Sequence, residues 1–315
     1  MSTMSVNAIS SYSTGYIDIN NIVRTSAILP QGEAMDMTIA NVQIGLNSTN
    51  LVVGNTYNLS SLNSSNGQTT VVGSFAGLQL TSSATQNTLI GSGAGLNITT
   101  GIGNTFVGAN AGRYSTGNQN TFVGGNSGLN NTTGLGNTCL GEGAGSNIET
   151  GSSNTFIGVG AGNVGGGTFN GQNNIAIGIG SVPSSNDANG EITLGSSGNN
   201  VLRCAATTIT SLSDARDKKD IKDLSAGLSF VKTLKPVEFV WNDRDENGKR
   251  DIKDFGFIAQ DLKASQEEIG LAETLKLVYE SNPEKLEASY GKLVPILVKA
   301  IQELTAKVEE LEKNK

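Results

Sequence analysis

Three features of the sequence predict a mainly β protein: a trimeric, glycine-rich β-solenoid stalk (triple β-helix-like) followed by a small α/β domain that ends in a coiled coil. They are a short motif recurring about every 17 residues, an abrupt change of composition near Ser213, and a heptad seam close to the carboxy end. Residues 1–212 hold 3 Lys and Arg, 7 Asp and Glu and 36 Gly, whereas residues 213–315 hold 18, 21 and 5. Two regions with different ways of folding therefore meet at Ser213. The expected division is a cap or attachment segment over 1–50, a repetitive stalk over 51–212, and a domain over 213–315 with a coiled coil at 293–313.

The repeat is clearest in Asn87-Thr-Leu-Ile-Gly91, Asn104-Thr-Phe-Val-Gly108, Asn120-Thr-Phe-Val-Gly124, Asn137-Thr-Cys-Leu-Gly141 and Asn154-Thr-Phe-Ile-Gly158. Degenerate copies end at Gly54, Gly73, Gly178 and Gly195, so successive marker glycines lie 19, 18, 17, 16, 17, 17, 20 and 17 residues apart. Each unit offers a β-prone triplet, a glycine corner, usually a second corner of the form G-x-x-[AS]-G, and a polar turn. Two or three large apolar side chains per unit cannot form a core alone, so the units must stack. The interior of one such stack is expected to be thin, and sharing it among three chains around an axis would remedy that. At one strand spacing per unit, about 4.8 Å, nine units make a rod roughly 40 Å long.

Composition excludes much chemistry. The chain has no His, which removes the commonest general base and zinc ligand. A net charge of -7 argues against nucleic acid or an anionic membrane surface as a partner. No apolar run approaches the length of a membrane span, and no export signal is expected from the amino end. Cys139 stands where neighbouring units have Phe106, Phe122 and Phe156, which makes it a small buried hydrophobe; Cys204 is expected to be a free thiol. Strings such as Gly158-Val-Gly160 recur at the repeat period with no Lys-Ser/Thr after them, so they are corners rather than phosphate loops. The acidic residues of the repeats, Glu142, Glu149, Asp187 and Glu191, are too sparse to suggest a glycosidase pair.

Beyond Ser213, Leu224–Leu234 is expected to be helical, Val237–Trp241 a strand, and Ile252–Ile258 its partner. Apolar residues at Val294, Leu297, Ile301, Leu304, Val308 and Leu311 alternate spacings of 3 and 4, the seam of an oligomerising coiled coil. The segment from Asp243 to Asp254 partly matches a calcium loop through Asp243, Asp245, Asn247 and Asp254. Its Asn247-Gly248 pair is also a strong hairpin signal, and with strands on both sides the hairpin is preferred, so no metal or cofactor is expected.

Chemistry without His points to Ser213-Asp-Ala-Arg-Asp-Lys218, where a Ser and a Lys at the domain boundary could act as nucleophile and base. A helix would set them about 140° apart, so their meeting requires a turn or a neighbouring chain. The plainer alternative is a polar linker whose Ser caps a helix. An ordinary lysine, with a pKa near 10.4, is neutral in only about one molecule in 2,500 at pH 7. A base at this position needs desolvation or nearby positive charge.

Ser213-Asp-x-Arg-x-Lys218, then Leu234-Lys-Pro-Val-Glu-Phe-Val-Trp241, Gly256-Phe-Ile-Ala-Gln260-Asp, Tyr290-Gly-Lys-Leu293 and the terminal heptads, resembles the endosialidase-type intramolecular chaperone, the peptidase S74 family, in the expected order. The resemblance covers about residues 211–315. It implies a domain that trimerises, guides folding of the preceding β region, and severs itself between Leu212 and Ser213, with Ser213 as nucleophile and Lys218 as base. Asp214 and Arg216 match the motif as supporting residues. It further implies a phage or viral tail fibre or spike, located in the virion and made in the host cytoplasm, which contacts other virion proteins at its amino end and a host surface receptor or glycan. Two alternatives stand beside it. Asn173-Asn-Ile-Ala-Ile-Gly178 is similar to head repeats of bacterial trimeric adhesins, which would make the chain a binding module, and a glycan-degrading tailspike would need a carboxylate pair about 5 to 9.5 Å apart.

Overall fold

The computed structural model describes residues 68–81, 83–165, 167–196, 211, 213–242 and 251–314, together with the backbone of two strands, β1 (Val42–Ile44) and β2 (Leu51–Val53). The rest of the expected cap at 1–50, Leu212, Cys204 and the Asp243–Gly248 turn lie outside the described residues.

From β2 onward the chain forms a parallel β-solenoid. The strands are β3 (Thr70–Val72), β4 (Thr88–Ile90), β5 (Thr105–Val107), β6 (Thr121–Val123), β7 (Thr138–Leu140), β8 (Thr155–Ile157), β9 (Ile175–Ile177) and β10 (Ile192–Leu194). Each pairs with its sequence neighbour in strict register, so that Leu89, Phe106, Phe122, Cys139 and Phe156 stack as one column. Among the described strands of this sheet, only β1 runs antiparallel, against β2. The strands β3 to β10 bound about seven turns, and each triplet ends one residue before a marker glycine.

The pleat sends the middle residue of each triplet inward and its two neighbours outward. Leu89, Phe106, Phe122, Cys139, Phe156 and Ala176 are fully buried, with Phe106 and Phe122 stacked at 5.0 Å between ring centroids. A second set, Ile98, Ile148 and Phe169, fills the other side of the same core, and Phe169 meets Phe156 edge-on. The expectation of a thin interior shared among three chains is thus corrected. A single chain encloses its own core, because the turn segments fold back and supply apolar residues the triplets lack. The solenoid is a roll closed within one chain, unlike a triple β-helix. Cys139 sits in the column as expected, and burial pushes its thiol far above the ordinary range.

The corners require glycine for two separate reasons. At Gly108 φ is +139°, and a Cβ there would lie 2.5 Å from the carbonyl oxygen of Gly124 in the next turn. At Gly112 φ is +56°, and a Cβ would press into the ring of Phe106. Close stacking and the tight return both follow from the missing side chain.

A ladder of buried asparagines runs beside the apolar column. Asn87, Asn104, Asn120, Asn137, Asn154 and Asn174 are all fully buried. The Asn137 Nδ2 donates to Asn120 Oδ1 at 3.2 Å and to the Gly151 carbonyl at 2.8 Å. Its own Oδ1 accepts from the backbone N–H and the side-chain Nδ2 of Asn154 at 3.0 and 3.1 Å. Both amide hydrogens and the amide oxygen are therefore satisfied in every full rung, which is the condition for burying such a group.

The C-terminal region contains α1 (Leu228–Val231), a hairpin of β11 (Val237–Val240) and β12 (Lys253–Gly256), α2 (Ala259–Glu268), α3 (Ala272–Leu275), a short pair β13 (Val278–Tyr279) and β14 (Glu287–Ala288), and α4 (Leu293–Lys313). The expected hairpin partners pair antiparallel, Val237 opposite Gly256. The expected helix over Leu224–Leu234 is shorter than its pattern, occupying only four residues. Ala226, Phe230, Leu275, Leu277, Leu293 and Ile296 form a separate small core.

Replacing Asn137 by Ala should destabilise the solenoid by about 3 kcal/mol, since it strands buried groups on both adjacent turns. Gly108→Ala should cost at least as much through backbone clash. Thermal unfolding against wild type measures both.

Candidate functional site

Ser213 and Lys218 meet within one chain. Asp214 N-caps a 3-10 turn at Ala215–Asp217, its Oδ1 accepting from the Arg216 backbone N–H at 2.9 Å. The tighter 3-10 winding brings the chain round, and Lys218 Nζ donates to Ser213 Oγ at 2.7 Å and to the Ser213 carbonyl at 2.9 Å. Of the two routes the spacing left open, the turn is the one present. Ser213 does not cap a helix; Asp214 takes that part.

Arg216 closes on Asp214 with Nη2 to Oδ2 at 2.6 Å and Nε to both carboxylate oxygens at 3.1 Å. The guanidinium holds the Asp214 carboxyl below its usual range. Asp214 and Arg216 thus act on the turn rather than on the Ser-Lys pair, and all four residues are exposed. The geometry puts the Lys218 amine in hydrogen-bonding reach of the Ser213 hydroxyl, the contact that proton transfer between them needs.

The remaining motif segments converge elsewhere in the C-terminal region. The Tyr290 hydroxyl accepts the Phe257 N–H at 3.1 Å and donates to the Phe257 carbonyl at 3.3 Å, with the two rings 5.8 Å apart. A Cβ on Gly256 would stand 2.6 Å from that hydroxyl, so a larger residue there would displace the Tyr290 side chain. Trp241 Nε1 donates to Asp254 Oδ2 at 3.1 Å. Asp254, the one calcium-loop candidate among the described residues, is occupied by that bond and by the Phe255 N–H. Among the described residues no His, Cys, Asp and Glu cluster could hold a metal ion.

The expected oligomerisation residues lie along α4. Leu293, Ile296 and Ala300 turn into the small core, while Val294, Leu297, Ile301, Leu304, Val308 and Leu311 keep 42 to 66% of their surface exposed. The helix therefore carries two apolar faces, one covered and one open. No helix among the described residues is long and apolar enough to cross a membrane.

Two polar features outside these motifs contain Glu149 and Glu191, which the sequence offered only as acids too sparse for a glycosidase pair. A groove of about 440 Å³ on the solenoid flank is lined by Asn97, Tyr114, Asn130, Thr132, Asn147, Glu149, Gly167 and Thr168. At the last turn, Glu191 accepts from the Ser184 N–H at 2.7 Å, the Ser184 hydroxyl at 2.5 Å and the Tyr279 hydroxyl at 2.6 Å. Burial pushes the Glu191 carboxyl up, but these hydrogen bonds outweigh it and hold it below the ordinary range. The contribution of the contact is therefore complete above the ordinary glutamate value and lost as the pH falls through the lower folded value. Burial and the Glu191 charge raise the nearby Glu287 carboxyl. The signal for Glu191 was its place in the repeat, 17 residues after Asn174.

Residues 213–271 match the family model described as chaperone of endosialidase, a match that begins at the serine of the Ser-Lys pair. No curated protein and no solved structure matches the chain.

Tyr290→Phe, which leaves both backbone groups of Phe257 without their side-chain partner, should lower stability of the C-terminal region by about 1 kcal/mol. Urea denaturation followed by Trp241 fluorescence measures it.

Proposed function

We propose that this chain is a tail fibre or spike protein of a phage or virus, whose C-terminal region assembles three copies, sets the register of the solenoid, and then severs itself between Leu212 and Ser213. The observation that carries the proposal is the 2.7 Å contact of Lys218 Nζ with Ser213 Oγ, at the first residue of the family match. In the reaction, the neutral Lys218 amine takes the Ser213 hydroxyl proton as Oγ bonds to the Leu212 carbonyl carbon. The tetrahedral intermediate collapses with cleavage of the Leu212–Ser213 C–N bond, and the lysine returns the proton to the departing nitrogen. Water then attacks the ester, leaving a carboxylate at Leu212 and restoring the Ser213 hydroxyl.

Exposure of the pair in a single chain accords with activation on assembly. Neighbouring chains would desolvate Lys218 and favour its neutral form. The open seam of α4 supplies the means of assembly, since burying six large apolar residues per helix outweighs the entropy of association only between helices. The outer residues of the strand triplets, among them Ile90, Leu140, Ile177 and Leu194, add exposed apolar surface along the solenoid.

Register explains the need for a chaperone. Turns of near-identical sequence make a slip of one unit between chains almost neutral in energy, so one end must be fixed first. The amino-terminal segment would attach to other virion proteins. The flank groove, with one half-exposed tyrosine, amides, hydroxyls and a single carboxylate, suits binding a host surface glycan better than cutting one, which takes two carboxylates.

Denaturing electrophoresis with intact mass is expected to show two fragments from wild type, parted between Leu212 and Ser213, and whole chains from Ser213→Ala and Lys218→Ala. An uncut wild-type chain would overturn the self-cleavage reading. Leu297→Asp combined with Ile301→Asp should give a monomer by light scattering and cut at least a hundredfold more slowly, which tests the dependence on assembly.

A further inference from the structure

Among the described residues the asparagine ladder ends on a rung that is not an asparagine. Glu191-Ile-Thr-Leu-Gly195 aligns with Asn174-Ile-Ala-Ile-Gly178, which puts Glu191 in the ladder position. Its backbone N–H donates to Asn174 Oδ1 at 3.0 Å, as the backbone of every rung does to the rung before. Its side chain cannot follow the pattern. Each asparagine gives a second hydrogen to the preceding amide oxygen, and an ionised carboxylate has none to give. Among the described residues Glu191 also stands at the end of the ten-stranded sheet, where β10 pairs only with β9.

The carboxylate instead gathers donors from two places. Ser184 supplies its N–H and its hydroxyl from the same final turn of the solenoid, and Tyr279, 88 residues further along the chain, supplies its hydroxyl at 2.6 Å. Asn282 Nδ2 donates to the Ser184 carbonyl at 3.0 Å, so the C-terminal region grips Ser184 on its remaining backbone group. Two residues, Tyr279 of β13 and Asn282 of the turn after it, thus hold both sides of one solenoid feature. Hydrogen bonds to an ionised acceptor are about twice as strong as neutral ones, and this acceptor is partly withdrawn from water.

We propose that the Tyr279–Asn282 segment is the surface by which the C-terminal region seats on the end of the solenoid, with Glu191 as the anchor that ends the ladder. The seat is made of side chains and does not depend on the peptide connection at Leu212–Ser213. It forms only on a finished last turn, because Ser184 and Glu191 meet only once that turn has closed. The C-terminal region accordingly recognises a completed solenoid end before the chain is cut. This deepens the chaperone reading by naming the surface that meets the stalk.

The test uses the full chain in a Ser213→Ala background, which stays whole whether or not wild type cuts. Hydrogen exchange at the Ser184 amide is compared among this parent, Tyr279→Phe with Asn282→Ala, and Glu191→Asn. The double variant should exchange about tenfold faster at Ser184, with the Thr121–Val123 amides unchanged. Glu191→Asn restores an amide rung but is too short to reach Tyr279; it should free Ser184 while leaving β10 protected. Unchanged exchange at Ser184 in the double variant would overturn the seat. Failure to cut bears only on the self-cleavage reading, because the exchange experiment does not need it.

Discussion

The need to satisfy a buried primary amide in every turn governs this molecule. A solenoid turn of about 17 residues has to place one polar residue inside, where the chain passes from loop to strand, and asparagine solves the problem when the rungs above and below offer it a matching donor and acceptor. Each amide donates to the rung before it and to a glycine or alanine carbonyl of the following corner, as Asn154 does to Asn137 and Gly171. The turns must therefore stack in register. The phenylalanine column, the glycine corners and the position of the C-terminal region all follow from that stacking.

Glycine serves the same constraint from outside. Neighbouring corners approach so closely that the carbonyl of one occupies the place a Cβ would need on the next, as between Gly124 and Gly141. Because one chain supplies both halves of its core, association of chains is not needed to bury Phe106 or Phe156. What association would offer is register and the covering of external apolar surface. The burden of assembly then falls on the open face of α4, and on whatever fixes the C-terminal region to the last turn.

The ends of a periodic structure carry the information that its interior cannot. Within the ladder, one asparagine rung is equivalent to the next, and a shift of one unit restores almost every contact. Glu191 breaks the equivalence. Its carboxylate has no hydrogen to give the preceding amide and accepts one from a tyrosine in a distant part of the chain, so among the described residues the last turn differs chemically from the asparagine rungs before it. The Ser-Lys pair is likewise a local device: Asp214 and Arg216 build a 3-10 turn that brings Ser213 and Lys218 together across five residues.

The repeat period, the inward middle residue of each triplet, the corner glycines and the heptad face of α4 were all legible in the sequence, because each depends on contacts between residues at fixed short spacing. The sequence also marked Ser213 and Lys218 as a pair but left open whether a turn or a neighbouring chain brings them together, since the turn rests on a single capping carboxylate, that of Asp214. Only the tertiary structure decided that one chain closes its own core, because the apolar residues that complete it, Ile98, Ile148 and Phe169, come from turn segments whose fold-back no triplet pattern encodes. Only there, too, do Glu191 and Tyr279 become partners. A contact across 88 residues leaves no periodic trace, and its sole mark in the sequence is an acid standing where an amide belongs.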